Sequence, residues 1–266
     1  MTLEHPIIIA GSGPTDRDGN NSMMTNNSLK LLAEGLVKNG IASLRYDKRG
    51  IGKSTNVSIS VKDLRFDHYI NDVSSWVEKL KSDTRFSEII IIGHSEGALI
   101  GSVAAKNESV DKFVSIAGSG YPIDKTIREQ LKAQSPVVLE QANTIMDSLL
   151  QEHLVNNVPA YLNSLFRASV QPYMISWMKY DPCTELGKLN IPVLILQGTT
   201  DLQVKVEDAN LLKEAKADAE LVLIDGMNHI FRNADLEPNS NMASYYDPSL
   251  PVNKELIQKI TKFILE

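Results

Sequence analysis

The sequence predicts an α/β fold: a doubly wound, mostly parallel sheet of about six strands flanked by helices. Three observations predict it. Short, apolar, β-rich runs recur along the chain, segments with helical spacing lie between them, and most runs end in a glycine-containing or polar turn.

The first run is 6–10, followed by Gly11-Ser12-Gly13-Pro14 and a helical segment over 29–38. The second is 41–46, which leads through the polar loop from Asp47 to Ser54 into a helix over 67–81. The third, Ile89-Ile90-Ile91-Ile92, passes through Gly93-His94-Ser95-Glu96-Gly97 into an alanine-rich helix over 98–106. A fourth strand over 113–117 precedes the interval 121–182, which has no convincing strand. That interval is rich in Leu, Gln, Asn and Met at helical spacing and is broken by Pro136, Pro159 and Pro172, so it reads as a helical insertion. Strands over 193–197 and 221–224 follow, separated by a helix over 206–217, and a last helix spans 251–265. The expected organisation is a core of 1–120 and 183–266 with a helical cap of 121–182.

Composition narrows the function. The 266 residues are 42% hydrophobic and 23% charged, ordinary for one large globular domain. The net charge is −6 and the basic residues are dispersed, so the chain lacks the footprint of a nucleic-acid binder. A single cysteine, Cys183, excludes an intrachain disulfide and a cysteine-based metal cluster. No apolar run has the length to span a bilayer, and the segment Met1-Thr2-Leu3-Glu4-His5 has no basic n-region, so a cytoplasmic setting without membrane contact is expected.

In open parallel sheets the chemistry gathers at the carboxyl ends of the strands. Five strands here are followed by residues suited to it. The first ends in the glycine-rich turn 11–14 and then Asp16-Arg17-Asp18-Gly19. The second ends in Asp47-Lys48-Arg49-Gly50, the third at Ser95, the fifth in Gly198-Thr199-Thr200-Asp201 and the last in Gly226-Met227-Asn228-His229. A G-x-S-x-G pentapeptide between a strand and a helix is the pattern of a nucleophile elbow, which holds a serine oxygen clear of the backbone beside a base. A serine, a carboxylate and a histidine thus follow three different strands in that order.

That order and placement resemble the α/β-hydrolase superfamily, over nearly the whole chain. The motifs at 11–14, 16–19, 93–97, 198–201 and 226–229 look like those of a bacterial carboxylesterase subgroup related to the serine aminopeptidase-like hydrolases. The resemblance implies Ser95 as nucleophile, His229 as general base and Asp201 as the acid that orients it. It also implies an oxyanion hole from the backbone N–H groups of Ser12 and Glu96, with Gly13 as the alternative to Ser12. No cofactor and no metal are required. Members usually carry one or two antiparallel strands before the Gly-Ser-Gly-Pro strand, whereas this chain starts almost at it. The expected sheet edge is therefore pared down, either exposed or covered by a second copy of the chain.

The residues leave competitors beside these assignments. Asp225 and Asp208 compete with Asp201, the latter read as part of a solvated helix face. His5, His68, His94 and His153 compete with His229, with His94 expected to brace the turn from a sheet–helix corner. Asp16, Arg17 and Asp18 read as a salt-bridged loop framework, as do Asp47 and Arg49. Glu96 is expected to act through its backbone. Met146, Tyr173, Met174, Trp177 and Met178 either line an acyl pocket, with Met174 and Trp177 as the substrate contacts, or belong to plain core. The expected activity is hydrolysis of carboxylic esters with small to medium acyl chains. The alternatives are a thioesterase, amidase or aminopeptidase with the same triad, and a non-catalytic ligand-binding protein on the same fold.

Overall fold

The computed structural model describes residues 3–55, 59–106, 109–132 and 135–266. Met1 and Thr2, read above for charge, lie outside them. The strands are β1 (Leu3–Ile9), β2 (Leu44–Arg45), β3 (Phe86–His94), β4 (Lys112–Ile116), β5 (Val193–Gly198) and β6 (Glu220–Ile224). All neighbours pair in parallel, in the order β2-β1-β3-β4-β5-β6. The helices are α1 (Ser28–Val37), α2 (Phe66–Lys81), α3 (Glu96–Ala104), α4 (Ile123–Leu131), α5 (Pro136–Leu150), α6 (Asn163–Phe166), α7 (Gln171–Trp177), α8 (Pro182–Gly187), α9 (Val206–Ala215), α10 (Pro238–Ala243) and α11 (Lys254–Leu265).

The continuous apolar runs in the strands follow from cover on both faces, because alternate residues of a strand point to opposite sides. Ile7 and Ile9, Ile89 and Ile91, Phe113, and Val193 and Ile195 pack with Phe66, Val73, Ile100, Leu186 and Leu212 from α2, α3, α8 and α9. The intervening Ile8, Ile90, Ile92, Val114, Ile116, Leu194 and Leu196 meet Leu32 and Leu36 of α1 on the other face. There, Leu256, Ile260 and Ile264 of α11 complete the layer. Their spacing of four residues puts all three on one stripe of α11. Asn253 starts that helix by accepting from the N–H groups of Glu255 (2.8 Å) and Leu256 (3.2 Å).

Several boundaries differ from the sequence reading by a few residues, two of them close to the carboxyl end of the sheet. The strand expected over 41–46 shrinks to Leu44–Arg45, paired only with Ile7 and Ile8 of β1, because it is an edge strand with a single neighbour. The helix expected from Ala98 begins instead at Glu96, directly after Ser95.

Between β4 and β5 the chain forms α4 to α7, which share an apolar cluster of their own around Ile127, Ile145, Met146, Leu149, Phe166 and Met174. It joins the sheet layer through aromatic contacts. Trp177 stacks on Phe66 with ring centroids 5.5 Å apart, and Ser176 Oγ accepts the Phe66 N–H at 2.8 Å. Register brings the carboxyl ends into line: Ile9 opposes Gly93, His94 opposes Ile116, and Gly198 opposes Ile224. The loops after β1, β3, β5 and β6 therefore emerge at one edge of the sheet.

Candidate active site

Ser95 sits between β3 and α3 with φ 55° and ψ −120°, a region that non-glycine residues seldom occupy. Its N–H is held by the carbonyl of Ile116 at 2.9 Å. The two glycines of the motif are required by backbone approach. A Cβ on Gly93 would fall 2.3 Å from the carbonyl oxygen of Gly97, and one on Gly97 would fall 2.5 Å from that of Ile9. The turn thus packs α3 directly onto β1 and β3, and only hydrogen side chains fit.

His229 and Asp201 meet across the loops that follow β6 and β5. Their main chains are joined, Thr199 N–H to Ile224 O at 3.0 Å and Thr200 N–H to Met227 O at 3.2 Å. A Cβ on Gly198 would stand 1.9 Å from Met227 O, so glycine is what lets the loops close. His229 Nδ1 lies 2.7 Å from Asp201 Oδ2, and the N–H groups of Gln203 and Val204 donate to Asp201 Oδ1 at 2.8 and 3.0 Å. Burial opposes the charge on Asp201. The attraction and hydrogen bond of His229, with the two backbone donors, outweigh it and hold the carboxyl below the usual carboxylate range. Asn228 shapes the histidine loop from within: its Oδ1 accepts from Ile230 and Arg232 N–H, and its Nδ2 donates to Ser244 Oγ at 2.8 Å.

The competing residues have other employment. Asp225 is exposed and accepts from Thr199 Oγ1. Asp208 is buried, contrary to the solvated reading, because its Oδ1 accepts the Gly120 N–H at 2.9 Å and its Oδ2 the Lys205 N–H at 3.0 Å. His68 accepts from Arg65 N–H at the start of α2, His153 is exposed, and His5 lies in β1 with its ring 3.9 Å from that of Phe86. The His94 side chain reaches beyond its own turn. Its Nε2 donates to the main-chain oxygen of His229 at 2.9 Å, so it supports the histidine loop.

Ser12 and Gly13 are exposed on the loop after β1, and Gly13 has a left-handed φ of 73°. Among the described residues, the turn, loop and cap hydrogen bonds use neither the Ser12 nor the Glu96 N–H. The charged loops form the framework read from the sequence: Arg17 pairs with Asp47, Arg45 with Asp18 and Arg49 with Asp72. The first of these, with the Lys53 and Arg17 N–H groups, lowers the Asp47 carboxyl to about 2 against the cost of its burial.

Sequence reasoning missed a buried cluster behind these loops. Lys48 Nζ lies 3.0 Å from Glu96 Oε2 and 2.6 Å from the carbonyl oxygen of Gly11, with both charged side chains 2% exposed. Tyr173 of α7 donates to Glu96 Oε1. A lysine in a polar loop and a glutamate far along the chain carry no spacing signal that would pair them.

A cavity of about 530 Å³ opens over this region. Ser12, Gly13, Ser95 and Glu96 line it, and Leu99, Ile127, Val170, Met174 and Trp177 are among its apolar lining. Of the five residues proposed for an acyl pocket, Tyr173, Met174 and Trp177 line it, whereas Met146 and Met178 pack within the helical cluster. No helix of the described residues is long and apolar enough to cross a membrane.

Comparison with known proteins gives a consistent kinship. The profile of the family described as serine aminopeptidase, S33, matches residues 24–234. The chain is similar to esterase EstD of Thermotoga maritima, 26% identical over 264 residues that cover 98% of this chain and 61% of that protein, so it spans less than two thirds of that relative. It is 25% identical over 213 residues to a monoglyceride lipase homolog of monkeypox virus, covering 74% of this chain and 75% of that one. Among solved structures it resembles Est1E of Butyrivibrio proteoclasticus with ferulic acid bound, at a TM-score of 0.64, 18% identity and coverage of 99% and 88%. It also resembles the Pyrococcus furiosus esterase Pf2001, at a TM-score of 0.62, 18% identity and coverage of 99% and 82%.

Proposed function

Because the chain belongs to the serine aminopeptidase S33 family of hydrolases, we propose that it is a serine hydrolase of carboxylic esters with small to medium acyl chains, working through Ser95, His229 and Asp201. In this reading Asp201 holds the Nδ1–H tautomer of His229, which leaves Nε2 with the lone pair. Nε2 takes the Ser95 proton as Oγ bonds to the ester carbonyl carbon, and the carbonyl electrons move onto its oxygen. The N–H groups of Glu96 and Ser12 receive that oxyanion. Collapse expels the alcohol, which takes the proton from His229, and a water then repeats the steps to release the acid and free Ser95. The segment 121–182 acts as a helical cap that supplies the apolar wall for the acyl chain.

One observation favours an ester over an aminoacyl substrate. Among the described residues lining the cavity, Glu96 is the one carboxylate, and its oxygens are taken by Lys48 and Tyr173. Nearby Asp18 is paired with Arg45, and Asp16 accepts from the Asp18 and Asn20 N–H groups. A substrate ammonium therefore finds no unpaired carboxylate on the wall, while an apolar acyl chain finds a suitable one. The test is turnover of p-nitrophenyl esters beside aminoacyl anilides, with Ser95→Ala as the control. Ester turnover that disappears in Ser95→Ala is expected; preference for the anilides, or undiminished activity in Ser95→Ala, overturns the reading.

A further inference from the structure

Gly11 and Ser12 share a peptide unit, and in a trans peptide the carbonyl oxygen and the N–H point in opposite directions. Whatever fixes the oxygen of Gly11 also fixes where the N–H of Ser12 points. Lys48 Nζ grips that oxygen at 2.6 Å. The same ammonium bonds Glu96 Oε2 at 3.0 Å, and Glu96 carries the other N–H assigned to the oxyanion. From these contacts we infer that the buried Lys48–Glu96 pair is a clamp that sets the two oxyanion donors against each other, with Tyr173 tying it to the helical segment above; the inference rests on the serine-hydrolase reading.

The chemistry supports positioning as the role. A charge-assisted bond is short and directional, so it restrains a loop that is otherwise exposed at Ser12 and Gly13. A cation on the carbonyl oxygen also polarises the peptide and makes its N–H a stronger donor. The ammonium is well housed, since its Nζ stands 5.0 Å from the centroid of the Tyr69 ring as well. On the far side, Glu96 Oε1 accepts from Tyr173, so each carboxylate oxygen has a donor. Neither side chain is needed for proton transfer, and an ion pair is a costly thing to bury for packing alone.

The experiment compares Lys48→Met, the double variant Lys48→Met/Glu96→Gln and Ser95→Ala in p-nitrophenyl ester turnover and thermal unfolding. Lys48→Met strands a buried carboxylate, and failure of that variant to fold leaves the test to the double variant, in which no lone charge remains. The clamp predicts that the double variant unfolds near the wild-type temperature but keeps a kcat about 10²-fold low, with KM changed less than about threefold. That loss is comparable to removal of one oxyanion donor. A double variant whose kcat returns together with its unfolding temperature reduces the pair to a structural element and overturns the inference. If Ser95→Ala is inactive while the Lys48 variants turn over normally, the clamp alone falls. Turnover in Ser95→Ala overturns the serine reading and the clamp with it.

Discussion

The imidazole of His94 donates from Nε2 to the main-chain oxygen of His229 at 2.9 Å, and the two rings lie 4.7 Å apart. The residue before Ser95 thus supports the loop that carries His229, and its buried setting favours the neutral imidazole. Burial first, and then the neighbouring His229, push its pKa down to about 3. The unfolded chain takes up a proton on this side chain near pH 6.5, whereas the folded chain does not until about pH 3. Its contribution to stability is therefore complete above about pH 6.5 and lost as the pH falls toward 3, by up to about 1.4 kcal/mol per pH unit. His94→Gln keeps an N–H for the carbonyl and cannot titrate. Denaturant unfolding between pH 4 and 7 should show a shallower loss of stability in the variant; equal slopes would mean that His94 is protonated in the fold.

Asp201→Asn tests the next contact in the line. The amide keeps an oxygen for the Gln203 and Val204 N–H groups, so the loop should persist. What changes is the tautomer, since an amide nitrogen facing His229 Nδ1 favours the proton on Nε2, where the base needs its lone pair. A fall in kcat of about 10⁴-fold with an unfolding temperature close to wild type is expected. Ester kinetics beside a melting curve check it, and near-normal kcat would remove Asp201 from the proposed triad.

The fold was legible because its signal is repeated. Every central strand is apolar on both faces, so Ile89 to Ile92 could not be mistaken for a half-solvated strand, and the glycines around Ser95 mark a place where the backbone of α3 closely approaches β1 and β3. The order of Ser95, Asp201 and His229 along the chain was legible for the same reason, as each follows a strand. The contacts behind them were not. Lys48 and Asp208 look solvated because charge in a loop or on a helix usually is, and only the tertiary approach of Gly11, Glu96 and Gly120 gives them buried partners. The strand at 41–46 was overestimated because apolar composition says nothing of how many neighbours a strand will have.

Gly97→Ala should be severe although it adds one methyl group. The new Cβ would lie 2.5 Å from the oxygen of Ile9 and 2.8 Å from that of Ala10, and backbone atoms of a central strand cannot move aside as a flexible side chain would. A loss of about 3 kcal/mol in urea unfolding is expected, at the upper end for overpacking. Turnover should fall as well, since α3 can relieve the contact only by moving away from β1 and carrying the Glu96 N–H with it. A variant of wild-type stability and activity would show that the elbow has slack.

Met174 divides its role between core and cavity, and that makes it the most informative residue for acyl preference. It is buried in the cluster of α4 to α7, yet it lines the cavity above Ser95. Met174→Ala removes packing and opens space at once. The first effect should cost about 2–4 kcal/mol, as for other large-to-small changes in a core. The second should shift the chain length at which p-nitrophenyl ester turnover peaks upward by about two to three carbons, because each added methylene contributes about 0.8 kcal/mol only where apolar surface covers it. Measuring kcat/KM across acetyl to decanoyl esters separates the two, since lost stability lowers all rates together at a temperature where the variant is partly unfolded, whereas a deeper pocket changes their order. An unchanged order in a folded Met174→Ala variant would place the acyl chain against another part of the wall, with Leu99 and Val170 the next to test.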